Sequence, residues 1–139
     1  GVLGFIGPCG AGKSTLLKVL AGDTSGGKIS RIDKSGKETP HFASKGSLTK
    51  GYCPQSGGLF PTMTIDEHIY FYSSIWLLQC KGQNTSEIMN FAAMLGLLKS
   101  GGSQTQTLSE GNKKKLSLAI ALGSNCRLAL LDGASCGVD

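Results

Sequence analysis

The chain has 139 residues, of which 40% are hydrophobic and 17% are charged. This length suits one domain with a hydrophobic core, and the apolar runs stop short of the ~20 residues that a membrane-spanning helix needs. A net charge of +5 raises the question of a nucleic-acid partner, but the lysines are scattered and the run at residues 113–115 has no interleaved aromatic residues. We therefore favour a solvated basic surface, or contact with a partner's phosphate, over nucleic-acid recognition. Five scattered cysteines without a C-x-x-C pair indicate reduced thiols.

The first part of the chain reads as strand, loop and helix. The apolar stretch "VLGFI" predicts a buried strand, and "KSTLLKVLAG" predicts a helix that ends at Gly22. Short alternations of apolar and polar residues between positions 26 and 50, such as "KISRID", predict small antiparallel strands.

The second part of the chain is mainly helical. In "TIDEHIYFYSSIWLL", Thr64 and Glu67 have the spacing of a capping box, and Ile65, Ile69 and Trp76 share one face. "SEIMNFAAMLGLL" predicts another helix, and "SGGSQTQT" predicts a linker. A last helix over residues 112–122 leads into the apolar strand "LALL". Together these elements predict an α/β fold.

Residues 7–15, "GPCGAGKST", match the G-x-x-x-x-G-K-S pattern between a predicted strand and a predicted helix. Gly7, Gly10 and Gly12 allow backbone N–H groups to wrap around phosphates, because a side chain there would block the approach. Lys13 supplies a cation for the terminal phosphates and Ser14 a hydroxyl that can bind magnesium. The pattern predicts a nucleoside triphosphate site.

Two later stretches bear on the same chemistry. Asp132 follows a predicted strand, so its carboxylate can join the phosphate loop at the carboxyl edge of a parallel sheet and hold magnesium. Taken alone, an aspartate after a strand is more often a turn residue or a helix cap, and only its pairing with the phosphate loop favours the magnesium role. In "TLSEGNKKKLSLAIAL", Ser109 or Asn112 in isolation predicts only the N-cap of an amphipathic helix.

The order of these motifs resembles the nucleotide-binding domain of ATP-binding cassette (ABC) transporters. The phosphate loop, "CPQ", "LSEGNKKKLSLAIAL", "LALLD" and "SCGVD" follow one another as in that family, and "GYCPQ" with "TIDEHIYFY" looks most like its A subfamily, whose members mainly move lipids. The resemblance implies a three-layer P-loop NTPase fold with a mainly parallel sheet, a small antiparallel portion and a helical subdomain over residues 63–122. It also implies that the chain is a partial domain that runs from the Walker A loop to the D-loop.

The resemblance assigns roles to particular residues. Gln55 would be the catalytic and magnesium-binding residue of the Q-loop, and Asp132 the Walker B acid that binds magnesium together with Ser14. Asp139 would be the D-loop aspartate. The nucleotide would be bound by the Walker A residues Gly7, Pro8, Cys9, Gly10, Ala11, Gly12, Lys13, Ser14 and Thr15 and, across the dimer, by the signature residues Ser109, Gly111 and Asn112.

The same resemblance implies cofactors, partners and location. ATP and Mg²⁺ would be bound between this domain and a second nucleotide-binding domain arranged head to tail. Both domains would work with the transmembrane domains of the same transporter, at the cytoplasmic face of a membrane, and nucleic acid would not be a partner. The expected activity is ATP hydrolysis coupled to transport.

The sequence departs from the family pattern at two positions. Gly133 stands where the family has the glutamate that polarises the attacking water, and loss of a general base typically lowers the rate by about 10²–10⁴. Glu110 stands where the signature usually has glycine, and its carboxylate would compete with a γ-phosphate for the same helix N-terminus. We expect that competition unless Glu110 turns to solvent or pairs with Lys113 or Lys114.

Three functions remain open from the sequence. The first is an ATPase module that drives transport, and the second is a regulatory half-site that binds ATP without hydrolysing it. The third is a soluble ABC ATPase that acts on DNA or ribosomes. It is disfavoured because "GYCPQSGGLFPTMTIDEHIYFY" resembles the region that meets the membrane domains in transporters.

Overall fold

A computed structural model describes residues 1–23, 30–32, 34–40, 50–79, 86–124 and 126–133. The backbone divides into two compact units, Gly1–Leu48 and Thr49–Asp139. Within the described residues, no helix is both long and apolar enough to cross a bilayer.

The first unit contains one helix and a small antiparallel sheet. Helix α1 spans Lys13–Ala21, and Gly22 ends it with a φ of 90° while its N–H bonds the carbonyls of the last turn, as the sequence predicts. Strands β1 (Ser30–Ile32) and β2 (Glu38–Pro40) pair antiparallel. This agrees with the predicted antiparallel strands, while residues 26–29, 33 and 41–49 of that prediction lie outside the described residues.

The strand predicted at "VLGFI" is wrong for this structure. Residues 1–8 form neither helix nor strand, and the side chains of Val2 and Ile6 are fully exposed. A strand requires a neighbour that pairs with its N–H and C=O groups, and no described strand pairs with this segment. Apolar composition alone therefore did not determine the local structure.

The second unit combines a parallel strand pair with three helices. Strands β3 (Lys50–Cys53) and β4 (Leu128–Leu131) pair in parallel, with Gly51 opposite Ala129. Helices α2 (Ile65–Gln79), α3 (Ser86–Met94) and α4 (Glu110–Gly123) follow β3 and precede β4 along the chain. Their contacts form a core of largely apolar side chains, namely Ile65, Ile69, Ile88, Ala92, Leu97, Leu116 and Ala119.

The predicted capping box is present at the start of α2. The Glu67 N–H donates to the Thr64 hydroxyl oxygen (3.2 Å), and the Glu67 carboxylate accepts from the Thr64 backbone N–H (2.7 Å). These hydrogen bonds hold the pKa of Glu67 below its ordinary value. The predicted apolar face is also present, because Ile65 and Ile69 are buried and Trp76 packs against them.

The predicted linker between α3 and α4 is more ordered than its composition suggests. It contains two short 3₁₀ turns, Leu98–Ser100 and Thr105–Thr107, and Gln104 forms a β-bridge with Thr64. Thr105 is buried, and its hydroxyl donates to the Phe60 carbonyl (2.7 Å). The linker thus closes over the segment that joins β3 to α2.

Candidate functional site

The phosphate loop of the first unit has the backbone shape that its glycines predict. Gly10 and Gly12 have φ values of 82° and 89°, a left-handed conformation that side chains disfavour. Gly12 is the N-cap of α1, and its carbonyl accepts from the Leu16 N–H at 2.9 Å. Gly12 has no side chain to cap the helix, and the first turn of α1 carries no acidic residue. The positive end of the helix dipole is therefore offered to an anion.

The side chain of Lys13 is held by backbone carbonyls of the phosphate loop. Its ammonium donates to the carbonyl oxygens of Gly7 (2.8 Å) and Pro8 (2.7 Å). The ammonium group has three donors, so it can donate to a phosphate oxygen in addition to these two carbonyls. Ser14 and Thr15 follow in the first turn of α1, while Pro8, Cys9 and Ala11 are exposed along the loop.

In the second unit, the parallel strands place two polar residues at one edge. Gln55 lies two residues beyond β3, and Asp132 follows β4 directly. The backbone pairing continues past the strands, because the Asp132 N–H donates to the Cys53 carbonyl at 2.9 Å. Asp132 is only 7% exposed, whereas Gln55 is exposed.

A carboxylate and an amide oxygen are the hard ligands that Mg²⁺ prefers. The described residues contain no cluster of three or more His, Cys, Asp or Glu side chains that would hold a metal on their own. The donor set of Asp132 and Gln55 fits Mg²⁺ as it is usually bound with nucleotides, through one or two protein groups together with phosphates and water. The ion would polarise the terminal phosphate.

Gly133 adopts a left-handed conformation with a φ of 59°. It follows Asp132 directly, at the position where the resemblance expects a glutamate. A glutamate in this backbone conformation would carry a strain of about 1–2 kcal/mol. The backbone conformation at position 133 therefore favours the glycine that the sequence has over a glutamate.

The predicted signature helix begins at a polar cap. Ser109 is the N-cap of α4, and its hydroxyl oxygen accepts from the Asn112 N–H at 3.2 Å. That contact uses an acceptor position of Ser109, so its O–H can still donate to a phosphate oxygen. Gly111 and Asn112 lie in the first turn, where backbone N–H groups lack partners within the helix.

Glu110 meets the condition under which we expected no repulsion of phosphate. Its carboxylate pairs with the Lys113 ammonium at 2.7 Å, and its side chain is 87% exposed. Such an exposed pair contributes at most about 1 kcal/mol to stability. Its relevance here is that the negative charge is partly neutralised at the helix N-terminus.

A cavity of about 550 Å³ opens between the segment after β3 and the first turns of α4. Its polar walls include Gln55, Glu110 and Lys113, and its apolar walls include Leu59 and Pro61. The Gln55 side chain therefore has space in which to change rotamer.

Lys114 also lines this cavity, and the sequence suggests it only as a possible partner of Glu110. It was one lysine of three in a run, and only its spatial contacts distinguish it. Gln55, Asp132, Ser109, Gly111 and Asn112 all belong to the second unit, and the phosphate loop belongs to the first. Asp139 lies outside the described residues.

Comparison with known proteins identifies the family. A family model described as ABC transporter matches residues 1–135. The chain is 36% identical over 140 residues to the ABC-type organic anion transporter ABCA8B of Mus musculus. The alignment covers 99% of this chain and 8% of the relative. It is 38% identical over 138 residues to the glucosylceramide transporter ABCA12 of Mus musculus. That alignment covers 98% of this chain and 5% of the relative.

A solved structure shows a similar fold. The archaeal ribosome recycling factor aABCE1, in complex with the ribosomal stalk protein aP1, aligns with a TM-score of 0.66 and 26% identity over 96% of this chain and 22% of that chain. The predicted P-loop α/β fold is confirmed by this neighbour and by the parallel pairing of β3 with β4.

The chain spans only 8% and 5% of the length of the two transporters that it resembles. The match of the family model nevertheless extends over nearly all of the chain. The chain belongs to the ABC transporter family, as part of a nucleotide-binding domain most similar to those of the A subfamily.

Proposed function

We propose that the chain binds Mg-ATP and, with a second nucleotide-binding domain, powers or gates transport across a membrane. The observation that carries this proposal is the phosphate loop, where Gly10 and Gly12 adopt left-handed φ values and Lys13 is held at the N-terminus of α1. This arrangement presents backbone N–H groups, a helix dipole and an ammonium group to an anion. Walker A residues 7–15 would bind the nucleotide, and Ser14, Gln55 and Asp132 the magnesium ion.

The second domain would complete each nucleotide site from the signature residues. Ser109, Gly111 and Asn112 stand at the N-terminus of α4, where donors for a second γ-phosphate are available. On this proposal the chain is the part of a nucleotide-binding domain from the Walker A loop to the D-loop residue Asp139, with residues 63–122 as its mostly helical subdomain. Two such domains would enclose two nucleotides.

An exposed aromatic surface supports contact with transmembrane domains. Phe60, Tyr70 and Phe71 are 46%, 77% and 39% exposed, and the Phe60 and Phe71 rings meet edge to face with centroids 5.7 Å apart. Exposed aromatic clusters of this kind mark interaction surfaces. The chain would then lie at the cytoplasmic face of a membrane, within an integral membrane transporter.

Lipid is the cargo class that we propose, because the similarity to a glucosylceramide transporter points to it. The similarity to an organic anion transporter keeps organic anions as the competing class. Transport assays with a labelled sphingolipid and a labelled organic anion would distinguish them.

Hydrolysis at this site would be impaired, which favours a regulatory half-site as the alternative to a motor. Gly133 offers no side chain to polarise the attacking water, whereas the proposed magnesium and phosphate ligands are present in the sequence. Hydrolysis would therefore be slower by the factor of about 10²–10⁴ that a general base supplies, whereas ATP binding would be retained.

A soluble ABC ATPase acting on ribosomes is a further alternative, and the similarity to the ribosome recycling factor favours it. Co-purification of the protein with membranes, rather than with ribosomes or nucleic acid, would support the transporter. The reverse result would support the soluble alternative.

Equilibrium binding of ATP tests the proposed nucleotide site. Replacing Lys13 by Met removes a charged donor, so we expect the Kd to rise on the order of tenfold to a hundredfold. The Lys18→Met variant is the matched control, because Lys18 is an exposed lysine of the same helix. Equal affinity of the two variants, or no ATP binding by the wild-type chain, would contradict the proposal.

A further inference from the structure

Lys114 joins the signature helix to the backbone of the Q-loop. It belongs to the first turns of α4, and its ammonium donates to the carbonyl oxygen of Pro54 at 3.3 Å and to that of Gln55. Residues 54 and 114 are 60 positions apart in the chain, so this contact exists only in the folded structure. The lysine is half-buried, which strengthens its hydrogen bonds relative to those of a fully solvated lysine.

This contact completes a series of three bonded carbonyls at the end of β3. The Cys53 carbonyl accepts from the Asp132 N–H, and the next two carbonyls accept from Lys114. The backbone from Cys53 to Gln55 is thereby fixed to β4 on one side and to α4 on the other. Since Asp132 is part of the same arrangement, the two proposed magnesium ligands are set by connected hydrogen bonds.

The chain beyond Gln55 has little local rigidity of its own. Gly57 and Gly58 follow with φ values of 81° and 84°, and the next tie that we see is the Tyr72 hydroxyl, which donates to the Gly58 carbonyl at 3.0 Å. Glycines gain the most conformational freedom when a constraint is released. Without Lys114, the carbonyls of Pro54 and Gln55 would lose the hydrogen bonds that they accept from α4.

The neighbouring lysine of α4 makes a different contact. The Lys113 ammonium pairs with the Glu110 carboxylate at 2.7 Å. Lys114 instead directs its charge to neutral carbonyls.

We propose that Lys114 is a positioning residue for Gln55. Its ammonium fixes the backbone of Gln55 so that the amide side chain, which faces open space, can reach the magnesium ion and the γ-phosphate. Because α4 begins at the signature residues, the same ammonium would transmit a movement of α4, caused by nucleotide in the opposite site, to Gln55. This inference rests on the proposed magnesium and phosphate role of Gln55.

NMR of the 139-residue chain tests the contact without nucleotide. We compare the wild type with Lys114→Met, Lys114→Arg and the control Lys99→Met, since Lys99 is an exposed lysine on a 3₁₀ turn away from the Q-loop. We expect the ¹⁵N order parameters of Gln55 and Ser56 to fall from about 0.85 to below about 0.6 only in Lys114→Met. The arginine variant should keep most of the order, because it retains a charged donor. Unchanged order in Lys114→Met would overturn the proposal.

A second readout separates positioning from a merely structural role. We measure the affinity of a fluorescent ATP analogue with Mg²⁺ and with a chelator. In Lys114→Met the gain in affinity from Mg²⁺ should fall about tenfold, as is typical when the support of a metal ligand is removed, while the affinity without metal stays unchanged. An unchanged magnesium effect in this variant would overturn the positioning role even if the loop became mobile.

Failure of the proposed nucleotide site and failure of the positioning role of Lys114 give different results. Absence of nucleotide binding by the wild-type chain would refute the proposed function, whereas the order parameters would still decide whether Lys114 holds Gln55. If Lys114→Met does not fold, the wild type alone is informative. The ammonium protons of Lys114 should then exchange with water more slowly than those of Lys99, and equal exchange rates would overturn the proposal.

Discussion

Replacing Gly51 by Ala tests how closely β3 is packed against α4. A Cβ at position 51 would lie 2.0 Å from the carbonyl oxygen of Ala121 and 2.9 Å from the Cys126 sulfur. Ordinary contact begins at 3.4 Å, so β3 and α4 must separate by about 1.4 Å, from 2.0 to 3.4 Å, at this point. The obstructing oxygen belongs to helix backbone and cannot rotate away.

We expect this variant to lose about 3 kcal/mol of unfolding free energy, the upper end of the usual range for overpacking. The displacement should also weaken the hydrogen bonds from Lys114 on α4 to Gln55, because Gln55 follows β3. Denaturant unfolding followed by tryptophan fluorescence measures the loss, since Trp76 is the one tryptophan and packs against the helical core of the same unit.

The matched control is Gly102→Ala. No atom lies within 4 Å of a Cβ built at Gly102, and its backbone is not left-handed. The substitution should therefore be neutral or stabilise the chain by up to about 1 kcal/mol through its effect on the unfolded state. Equal stability of the Gly51→Ala and Gly102→Ala variants would refute the packing argument.

Three further predictions concern single side chains. Hydrogen bonds from Thr64 lower the pKa of Glu67 in the folded state. The ionised carboxylate therefore stabilises the fold above its ordinary pKa of 4.5, and this stabilisation is lost as the pH falls through the folded-state pKa. Between about pH 6 and about pH 3, the denaturant midpoint should drop less in Glu67→Gln than in the wild type. Gly12→Ala should impose about 1–2 kcal/mol of backbone strain and raise hydrogen exchange of the Leu16 amide by about 5–30-fold, and unchanged exchange would contradict this. Because Lys113 pairs with Glu110, Glu110→Gly should change ATP-driven association by less than about fivefold, and a larger gain by sedimentation analysis would show that the carboxylate repels phosphate.

Features set by neighbouring residues could be predicted from the sequence. The end of α1 at Gly22 and the capping box of Thr64 and Glu67 each depend on a few consecutive positions, and the structure confirms both. The sequence left the N-cap of the last helix open between Ser109 and Asn112, and the structure has Ser109 there. In the predicted phosphate loop, Gly10 and Gly12 adopt the left-handed conformation that glycine favours.

Features set by distant residues could not be predicted. Whether residues 2–6 form a strand depends on a pairing partner elsewhere, and the predicted linker is ordered because Thr105 bonds Phe60 across 45 positions. Lys114 is the functional instance of the same limitation, since the sequence does not show which carbonyls it meets.

We propose that the chain binds Mg-ATP at a site where Gly133 stands in place of the family's general base. The most direct test measures ATP affinity and single-turnover hydrolysis for the wild-type chain and for Gly133→Glu. We predict similar affinities, slow hydrolysis by the wild type and an increase on the order of 10²–10⁴ in the variant. The left-handed backbone at Gly133 should also make the variant less stable by about 1–2 kcal/mol. Hydrolysis by the wild-type chain as fast as by Gly133→Glu, at equal affinity, would contradict the claim.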